Sequence, residues 1–357
     1  MKSVVKKLAF SFLYQVCVWK RIKSNSLLVL TYHRISDVPD FEDSLKISLE
    51  NFENQMRFIR KSYRLISGAE LADIIKNRKP FPENSCLVTF DDGWKDNYTN
   101  AFPVLKRLGI PAIIFISTDY VGTNQAFWHE QLVTILDGRS SYPDIKKQSG
   151  ALDKYPSVLS KKIWDILEKP IPVRRPFIEE LVSYLKGFDP KRINDLIQKL
   201  RILLDCREED HPPIMLTWEQ TKEMSQNNIC FGSHTKSHAI LTNVSISQVT
   251  EEITESKKII EDRLGKPVYF IAYPNGNHNE AIIKATEESG YLAGFTCMPG
   301  INSSAEKPFE LKRRHVLEDF SLGATGKFSE QALRTELSGI RTDLKTWITK
   351  NGKGPSS

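Results

Sequence analysis

The chain has 357 residues, enough for one large α/β domain with an insertion or for two domains of average size. Its hydrophobic fraction of 40% and its charged fraction of 26% are ordinary for a folded protein and exclude global disorder. The net charge of +6 comes from 50 basic and 44 acidic residues spread along the chain, which gives no reason to expect a nucleic-acid partner.

An apolar stretch flanked by basic residues lies near the start of the chain. Leu8 to Trp19 is about a dozen residues long, whereas a transmembrane helix needs about 20. The segment Val16 to Arg21 lacks the small-residue cleavage pattern of a secretory signal, which argues against export. We predict an uncleaved amphipathic helix within residues 1–25 that packs on the protein's own core or lies on an anionic membrane surface. Five scattered cysteines without C-x-x-C spacing suit a reducing compartment, so the expected location is cytoplasmic, peripheral at the inner membrane face if the helix binds lipid.

Seven short apolar runs, separated mostly by helical patterns, organise the rest of the chain. Capping signals at Ser67 and Thr217 begin two of the helices, and Gly109 and Gly265 are placed to end two others. Alternation of strand and helix predicts an α/β fold with a parallel, barrel-like sheet whose functional site lies at the carboxyl ends of the strands. The predicted strands are 27–32, 86–90, 111–117, 229–232, 268–272, 291–296 and 311–317.

The segment from about residue 122 to 213 interrupts this alternation. It is charged, mostly helical in pattern and broken by prolines, so we predict a helical insertion within a barrel that spans residues 26–320. Its basic side chains, including Lys161, Lys162, Arg174 and Arg175, are expected to form a solvated face, and a glycan or membrane contact is the alternative. Residues 321–357 are predicted to be a C-terminal extension with a disordered tail.

Chemistry-bearing residues follow two of the predicted strands. Asp91-Asp92-Gly93 comes directly after 86–90, and His234 and His238 follow 229–232. An Asp-Asp-Gly segment alone is an ordinary turn. At the shared carboxyl edge of a parallel barrel, however, the carboxylates and imidazoles are expected to converge. Two imidazoles and one carboxylate are typical ligands of a catalytic zinc ion, and the second carboxylate could transfer a proton, so the sequence indicates a metal-assisted hydrolase.

Two of these segments carry a family resemblance. Thr89 to Gly93 and Ser233 to His238 resemble the first two motifs of the polysaccharide deacetylase family, also called NodB-homology or carbohydrate esterase family 4 enzymes. The resemblance covers most of residues 26–317 outside the insertion. It implies a distorted (β/α)7 barrel and the metal-dependent removal of acetyl groups from N-acetylated sugars. By this resemblance a divalent ion, expected to be Zn²⁺, is held by Asp92, His234 and His238.

The resemblance also implies which residues transfer protons. Asp91 would be the general base. Thr31 to Ile35 resembles the tyrosine–histidine motif of the subgroup that includes bacterial poly-N-acetylglucosamine deacetylases, which implies that His33 is the general acid. Many other members use a histidine near the end of the barrel, where this chain has His315. His33 is the preferred candidate, while His315, or a purely structural role for both histidines, stays open.

The third family motif, Arg-x-Pro-aromatic, is incomplete. The matching segment, Ala272 to Asn277, lacks the arginine that orients the catalytic base, so that role would pass to Arg313 or Arg314. The backbone N–H of Asn275 is our candidate for stabilising the oxyanion. The alternative for this segment is a tight turn without a catalytic part.

The sequence therefore predicts a hydrolase that removes N-acetyl groups from an amino sugar of a bacterial surface polysaccharide or of its glycolipid precursor. Two alternatives keep the barrel: a deacylase of a small acylated amide or an O-acetyl ester, and a catalytically silent glycan-binding protein. The expected partners are an N-acetylated glycan or glycolipid and, through the N-terminal helix, a membrane surface. Trp94 and Trp218 are expected either to stack on sugar rings or to pack in the core, and His129 to be structural.

Overall fold

The computed structural model describes residues 25–37, 45–137, 150, 152–206, 214–304 and 307–339. The predicted N-terminal helix and the predicted disordered tail lie outside these residues. Within the described ranges, no helix combines the length and the apolar character that crossing a bilayer would require.

The predicted strands form one parallel sheet. Residues of adjacent strands pair in register, as Leu27 does with Ser85 and Tyr32 with Phe90 in the first pair. The last three observed strands are shorter than the predicted apolar runs, because only two or three residues of each run make regular ladders. The barrel strands are Ser26–Tyr32 (β1), Ser85–Phe90 (β2), Ala112–Ile116 (β3), Ile229–Ser233 (β4), Phe270–Ala272 (β5), Ala293–Phe295 (β6) and Arg314–His315 (β7).

The segment around β7 closes the sheet into a distorted (β/α)7 barrel. Leu311 forms a parallel bridge with Phe295 at the end of β6, and Arg314 pairs with Leu30 of β1. The chain from 311 to 315 therefore joins the last strand to the first. This closure places the residues that follow β2, β4, β5 and β7 around one mouth, at the carboxyl ends of the strands.

Alternate strand residues enter two different hydrophobic clusters. Leu27 and Val29 of β1 belong to one cluster, whereas Leu28 and Leu30 belong to the other, where they pack with helix residues such as Phe52. A period of two is what a strand covered on both faces produces, and it explains why the strands read as continuous apolar runs.

Helices connect the strands, and local signals account for their ends. Ser245 and Gln248 form a reciprocal capping box, and Gly265 adopts the left-handed conformation that ends the same helix. A π-helical turn, Asn97–Ala101, precedes α3 and was not predicted. The helices are Leu49–Ser62 (α1), Gly68–Lys76 (α2), Phe102–Leu108 (α3), Trp128–Asp137 (α4), Ser157–Leu167 (α5), Arg175–Leu185 (α6), Pro190–Leu203 (α7), Trp218–Ser225 (α8), Ile246–Leu264 (α9), Glu280–Glu288 (α10) and Glu330–Leu337 (α11).

The helices α4 to α7, between β3 and β4, pack around a core of their own. Aliphatic side chains such as Leu132, Ile163, Leu181 and Leu196 fill it, and each is at most 1% exposed. We call these four helices the helical insertion. The barrel core contains none of these side chains, so the two cores are stabilised by separate sets of contacts. The predicted solvated face is wrong for Arg174, which is buried because its guanidinium donates to main-chain carbonyls at helix ends.

Candidate metal centre and active site

Asp92, His234 and His238 meet at the barrel mouth. The Asp92 Oδ1 atom lies 3.4 Å from Nε2 of His234 and 3.3 Å from Nε2 of His238. One potential ligand atom from each side chain lies within 4.8 Å of the other two. Asp92 follows β2 and His234 follows β4, so strands far apart in sequence deliver the cluster, as the sequence predicts.

The protonation of this cluster suits a divalent cation. The Nδ1 atom of His234 lies 2.7 Å from the carbonyl oxygen of Ala272, which can only accept, so Nδ1 carries a hydrogen and Nε2, which faces Asp92, is the nitrogen available to an ion. Burial would raise the pKa of Asp92, but hydrogen bonds to the two imidazoles hold it well below its usual value. Burial lowers the pKa of His238, which favours a neutral imidazole. Burial would lower the pKa of His234, but the neighbouring Asp91 and Asp92 carboxylates raise it, so this ring tends to hold a second proton that a divalent cation would displace. With that proton displaced, two neutral imidazoles and a carboxylate fit Zn²⁺ or a similar ion.

The backbone around these ligands adopts unfavourable conformations. Asp92, Thr235 and His238 have φ values of 77°, 67° and 59°, in the left-handed region that non-glycine residues seldom enter. A clamp on the second loop stabilises it: the Glu252 carboxylate accepts the N–H of Lys236 at 2.9 Å and the N–H of Ser237 at 2.8 Å. Strain of about 1–3 kcal/mol per residue, maintained by surrounding contacts, is characteristic of functional loops.

A buried arginine holds the second carboxylate. Arg313 donates from Nη1 to Oδ1 of Asp91 at 2.7 Å and from Nη2 to Oδ2 at 2.8 Å, and its Nε bonds the Thr296 carbonyl at 2.9 Å. Burial would raise the pKa of Asp91, but the Arg313 charge outweighs it and lowers this pKa to about 2. Of the two arginines that the sequence offered for this contact, Arg313 makes it.

Both candidate acids lie on the same side of Asp91. His33 Nε2 is 4.0 Å from Asp91 Oδ2, and the His33 and His315 rings stack with centroids 5.6 Å apart. Burial, together with the nearby His33 and Arg313, lowers the pKa of His315 to about 4, which leaves that ring neutral near pH 7. Asn97 holds the segment through a hydrogen bond from Nδ2 to the His33 carbonyl at 2.8 Å. His33 is therefore the histidine nearer the Asp91 carboxylate, and His315 packs against the His33 ring.

Asn275 lies in the loop that follows β5, with φ at 57°. Its exposed side chain is engaged on both sides: Oδ1 accepts from Lys186 Nζ at 3.0 Å, and Nδ2 donates to Asn277 Oδ1 at 2.7 Å. Gly276 next to it is required, because a Cβ atom there would lie 2.6 Å from the backbone nitrogen of Cys297. The oxyanion role of the Asn275 N–H stays a prediction.

Lys186 was not singled out from the sequence. It lies in the turn between α6 and α7, and besides reaching Asn275 it accepts, through its carbonyl, a hydrogen bond from Asn243 Nδ2 at 2.5 Å. The helical insertion thus contacts two loops of the barrel mouth. No local pattern marks this contact, because it joins residues that are 57 and 89 positions apart.

Trp94, His129 and His278 have structural contacts. Trp94 is fully buried, so of the two interpretations offered by the sequence, core packing is correct and stacking on a sugar is wrong. The His129 ring centroid lies 6.1 Å from that of His238, and His129 is absent from the ligand cluster. His278 has partners that the sequence did not indicate, since it stacks on Tyr273 and lies 3.5 Å from Glu310.

The chain is similar to known polysaccharide deacetylases. The family model described as "Polysaccharide deacetylase" matches residues 78–169 and 184–294, more than half of the chain. YxkH of Bacillus subtilis (strain 168), named for the same family, is 25% identical over 312 residues, which cover 87% of this chain and 78% of YxkH.

The chain is also similar to a relative named for its substrate and to a solved structure. The poly-β-1,6-N-acetyl-D-glucosamine N-deacetylase of Staphylococcus aureus (strain MSSA476) is 32% identical over 114 residues, only 29% of this chain and 39% of that relative. The Streptococcus pyogenes deacetylase PplD, solved with acetate, superposes with a TM-score of 0.56 at 20% identity, covering 87% of this chain and 98% of PplD. At 20% identity, the similarity to PplD shows the fold alone.

Proposed function

Because this chain belongs to the polysaccharide deacetylase family and is a hydrolase of carbon–nitrogen bonds, we propose that it removes N-acetyl groups from an amino sugar of a bacterial surface glycan. The observation that carries the proposal is the convergence of Asp92, His234 and His238, with ligand atoms within 4.8 Å of one another, beside the Arg313-paired Asp91. We propose Zn²⁺ as the ion, on the basis of the two imidazoles and one carboxylate.

Hydrolysis of an acetamide requires three things: an activated water, a stabilised oxyanion and a proton for the departing amine. The ion, when bound by the three ligands, supplies Lewis acidity toward the acetyl carbonyl and lowers the pKa of water. In the reaction the C–N bond breaks, a C–O bond forms, and acetate and a free amine are released.

Asp91 is the proposed acceptor of the proton from the attacking water. Arg313 keeps its carboxylate ionised and fixes its plane through two hydrogen bonds. The same pairing lowers the basicity of Asp91, since its pKa falls to about 2. Orientation, rather than base strength, is therefore the main contribution we propose for this side chain.

His33 is the proposed donor of the proton to the amine nitrogen. It lies 4.0 Å from Asp91, so a substrate nitrogen between the mouth loops would be within reach of both groups. His315, whose pKa of about 4 leaves it neutral, is the weaker candidate. We propose that the Asn275 N–H binds the oxyanion, because its loop follows β5 directly and the last residue of β5, Ala272, bonds the ligand His234.

We propose the substrate class first and a more specific substrate second. The similarity to a poly-β-1,6-N-acetyl-D-glucosamine N-deacetylase supports an N-acetylglucosamine-containing glycan, although only 39% of that relative is matched. A lipid-linked precursor at the inner membrane face is the finer proposal, and it rests only on the basic-flanked apolar stretch Leu8 to Trp19.

Acetate release from a matched panel of substrates tests this function. The wild type with Zn²⁺ is incubated with β-1,6- and β-1,4-linked N-acetylglucosamine oligomers, a small acylated amide and an O-acetylated sugar. We expect release from at least one oligomer at a rate well above that from the other two, and almost none from Asp91→Asn. Faster release from the ester or the small amide would replace the proposal with the deacylase alternative. No release from any substrate by zinc-loaded protein would support a silent glycan-binding barrel.

A further inference from the structure

The two oxygens of the Asp92 carboxylate face different partners. Oδ1 lies 3.4 and 3.3 Å from the two imidazoles, whereas Oδ2 accepts a hydrogen bond from the Trp94 indole Nε1 at 3.1 Å. The terminal torsion of an aspartate is broad, so a carboxylate without a fixed partner samples many orientations. A single donor on Oδ2 restricts this rotation and leaves Oδ1 directed at the imidazole pair.

We propose that Trp94 is a positioning residue for the metal: its indole N–H fixes the Asp92 carboxylate in the orientation that binds the ion. The inference rests on the proposed metal site and assigns a residue that acts on the ion only through Asp92. It predicts that the N–H donor matters separately from the volume of the indole ring.

The Trp94 ring is itself fixed from two sides. The Arg34 guanidinium lies 4.5 Å from the ring centroid, and the Phe127 ring meets it edge-on at 5.3 Å. Arg34 is in turn held by Asp96 through a 2.6 Å ion pair. Trp94 is also fully buried, so these contacts hold the indole with its N–H directed at Asp92 Oδ2.

Phe127 contacts a second metal ligand, His238, as well as Trp94. Its ring centroid lies 4.5 Å from that of His238, as well as 5.3 Å from Trp94. Phe127 precedes α4, so the segment entering the helical insertion packs against the ligand cluster. Trp94 and Phe127, which we call the aromatic support, thus contact Asp92 by a hydrogen bond and His238 by ring packing.

The competing explanation is that Trp94 only fills the core. A buried indole N–H needs an acceptor, and Asp92 could serve that purpose without any benefit to the metal. The two explanations differ in a measurable way. Core filling predicts that removal of the N–H lowers stability and leaves metal affinity unchanged, whereas positioning predicts weaker metal binding.

The test measures the affinity of the full chain for Zn²⁺ by competition with a chelator. Trp94→Phe removes the donor and keeps an aromatic ring, and replacement of Trp94 by benzothienylalanine removes the donor while keeping the ring shape. Trp164→Phe, at a partly buried tryptophan that packs against the core of the helical insertion, is the control. We expect Kd to rise roughly ten- to a hundredfold in both Trp94 variants, the usual effect of losing a partner of a metal ligand, and to be unchanged in the control.

A Kd within about threefold of the wild-type value in the benzothienylalanine variant would overturn the inference, even if Trp94→Phe folds poorly. Asp92→Ala separates this outcome from failure of the proposed function. If Asp92→Ala loses Zn²⁺ while the benzothienylalanine variant retains it, only the role of Trp94 is wrong. If Asp92→Ala also binds Zn²⁺ as the wild type does, the metal site itself has been misassigned.

Discussion

Arg313 in the barrel and Arg174 in the helical insertion are both buried arginines, and their partners differ. Arg313 pairs with the Asp91 carboxylate at the mouth, while Arg174 donates to main-chain carbonyls, among them Leu136 at 2.8 Å and Leu167 at 3.2 Å. Those carbonyls lie in the last turns of α4 and α5, where helices leave acceptors without intrahelical partners. The buried guanidinium of Arg313 therefore orients a carboxylate of the proposed active site, whereas that of Arg174 satisfies carbonyl groups at helix ends.

The same contrast holds for whole regions. The barrel mouth buries carboxylates and imidazoles that pair with one another, and several of its residues have strained backbones. The core of the helical insertion consists of aliphatic side chains. Substitutions at the mouth should therefore change turnover more than stability, and substitutions in the insertion core should do the reverse.

The largest expected effect is a decrease in kcat caused by a substitution at the barrel mouth. We expect His33→Ala to lower kcat by about 10²–10⁴-fold, the usual contribution of a general acid, while the protein stays folded and retains its metal. His315→Ala should lower kcat much less, because His315 is neutral near pH 7 and farther from the proposed proton path. Acetate release at saturating substrate measures both. A larger loss in His315→Ala would reverse the assignment of the acid.

In the insertion, Leu181→Ala should lower the free energy of unfolding by about 2–5 kcal/mol, because Leu181 is 0% exposed and its truncation leaves a cavity. Urea denaturation provides the measurement, and Leu181→Met, which conserves volume, is the control. The folded Leu181→Ala protein should keep its kcat. A large decrease of kcat under conditions where the variant is fully folded would break the separation between the two regions.

A smaller effect is expected from the protonation of His315. Its pKa in the folded protein is about 4, against 6.5 for an exposed histidine, because it is buried and faces His33 and Arg313. Between these values the unfolded chain binds a proton that the folded chain does not, so the free energy of unfolding falls as the pH drops from 6.5 to 4. His315→Gln removes this contribution, and its stability should fall less over the same range in urea titrations at pH 7 and pH 4.5. Equal decreases in variant and wild type would contradict the lowered pKa.

The smallest effect concerns the contact between the two regions. Lys186→Ala removes one hydrogen bond to Asn275 and should raise KM by roughly two- to tenfold, with little change in kcat, if the Asn275 loop borders the bound glycan. Lys191→Ala, an exposed lysine in α7, is the matched control. A KM that stays constant in Lys186→Ala would show that the helical insertion does not influence the binding of the glycan.

Local sequence patterns predicted much of this architecture. Apolar runs marked all of the barrel strands, since a parallel sheet covered on both faces needs them, and capping residues marked helix ends such as those at Thr217 and Gly265. The convergence of Asp92 with the histidine pair followed from strand order. These features depend on contacts within a short segment or on topology alone.

Other features depend on tertiary packing and could not be predicted in the same way. Sequence left Arg313 and Arg314 equivalent, because which of these two adjacent, buried arginines faces Asp91 depends on the register of a strand of only two residues. The Trp94 hydrogen bond depends on the left-handed turn at Asp92 and Gly93. The contacts of Lys186 in the helical insertion with Asn243 and Asn275 at the mouth join segments that are distant in sequence. The local sequence pattern of one segment does not predict its contact with the other.

The central claim is that one divalent ion held by Asp92, His234 and His238 enables deacetylation. Zinc content and acetate release from a β-1,6-linked N-acetylglucosamine oligomer, both measured on wild type and Asp92→Ala, test it directly. We predict about one ion per chain and measurable turnover for the wild type, with loss of both in the variant. An Asp92→Ala protein that retains the ion at unchanged stoichiometry and continues to release acetate would contradict the claim.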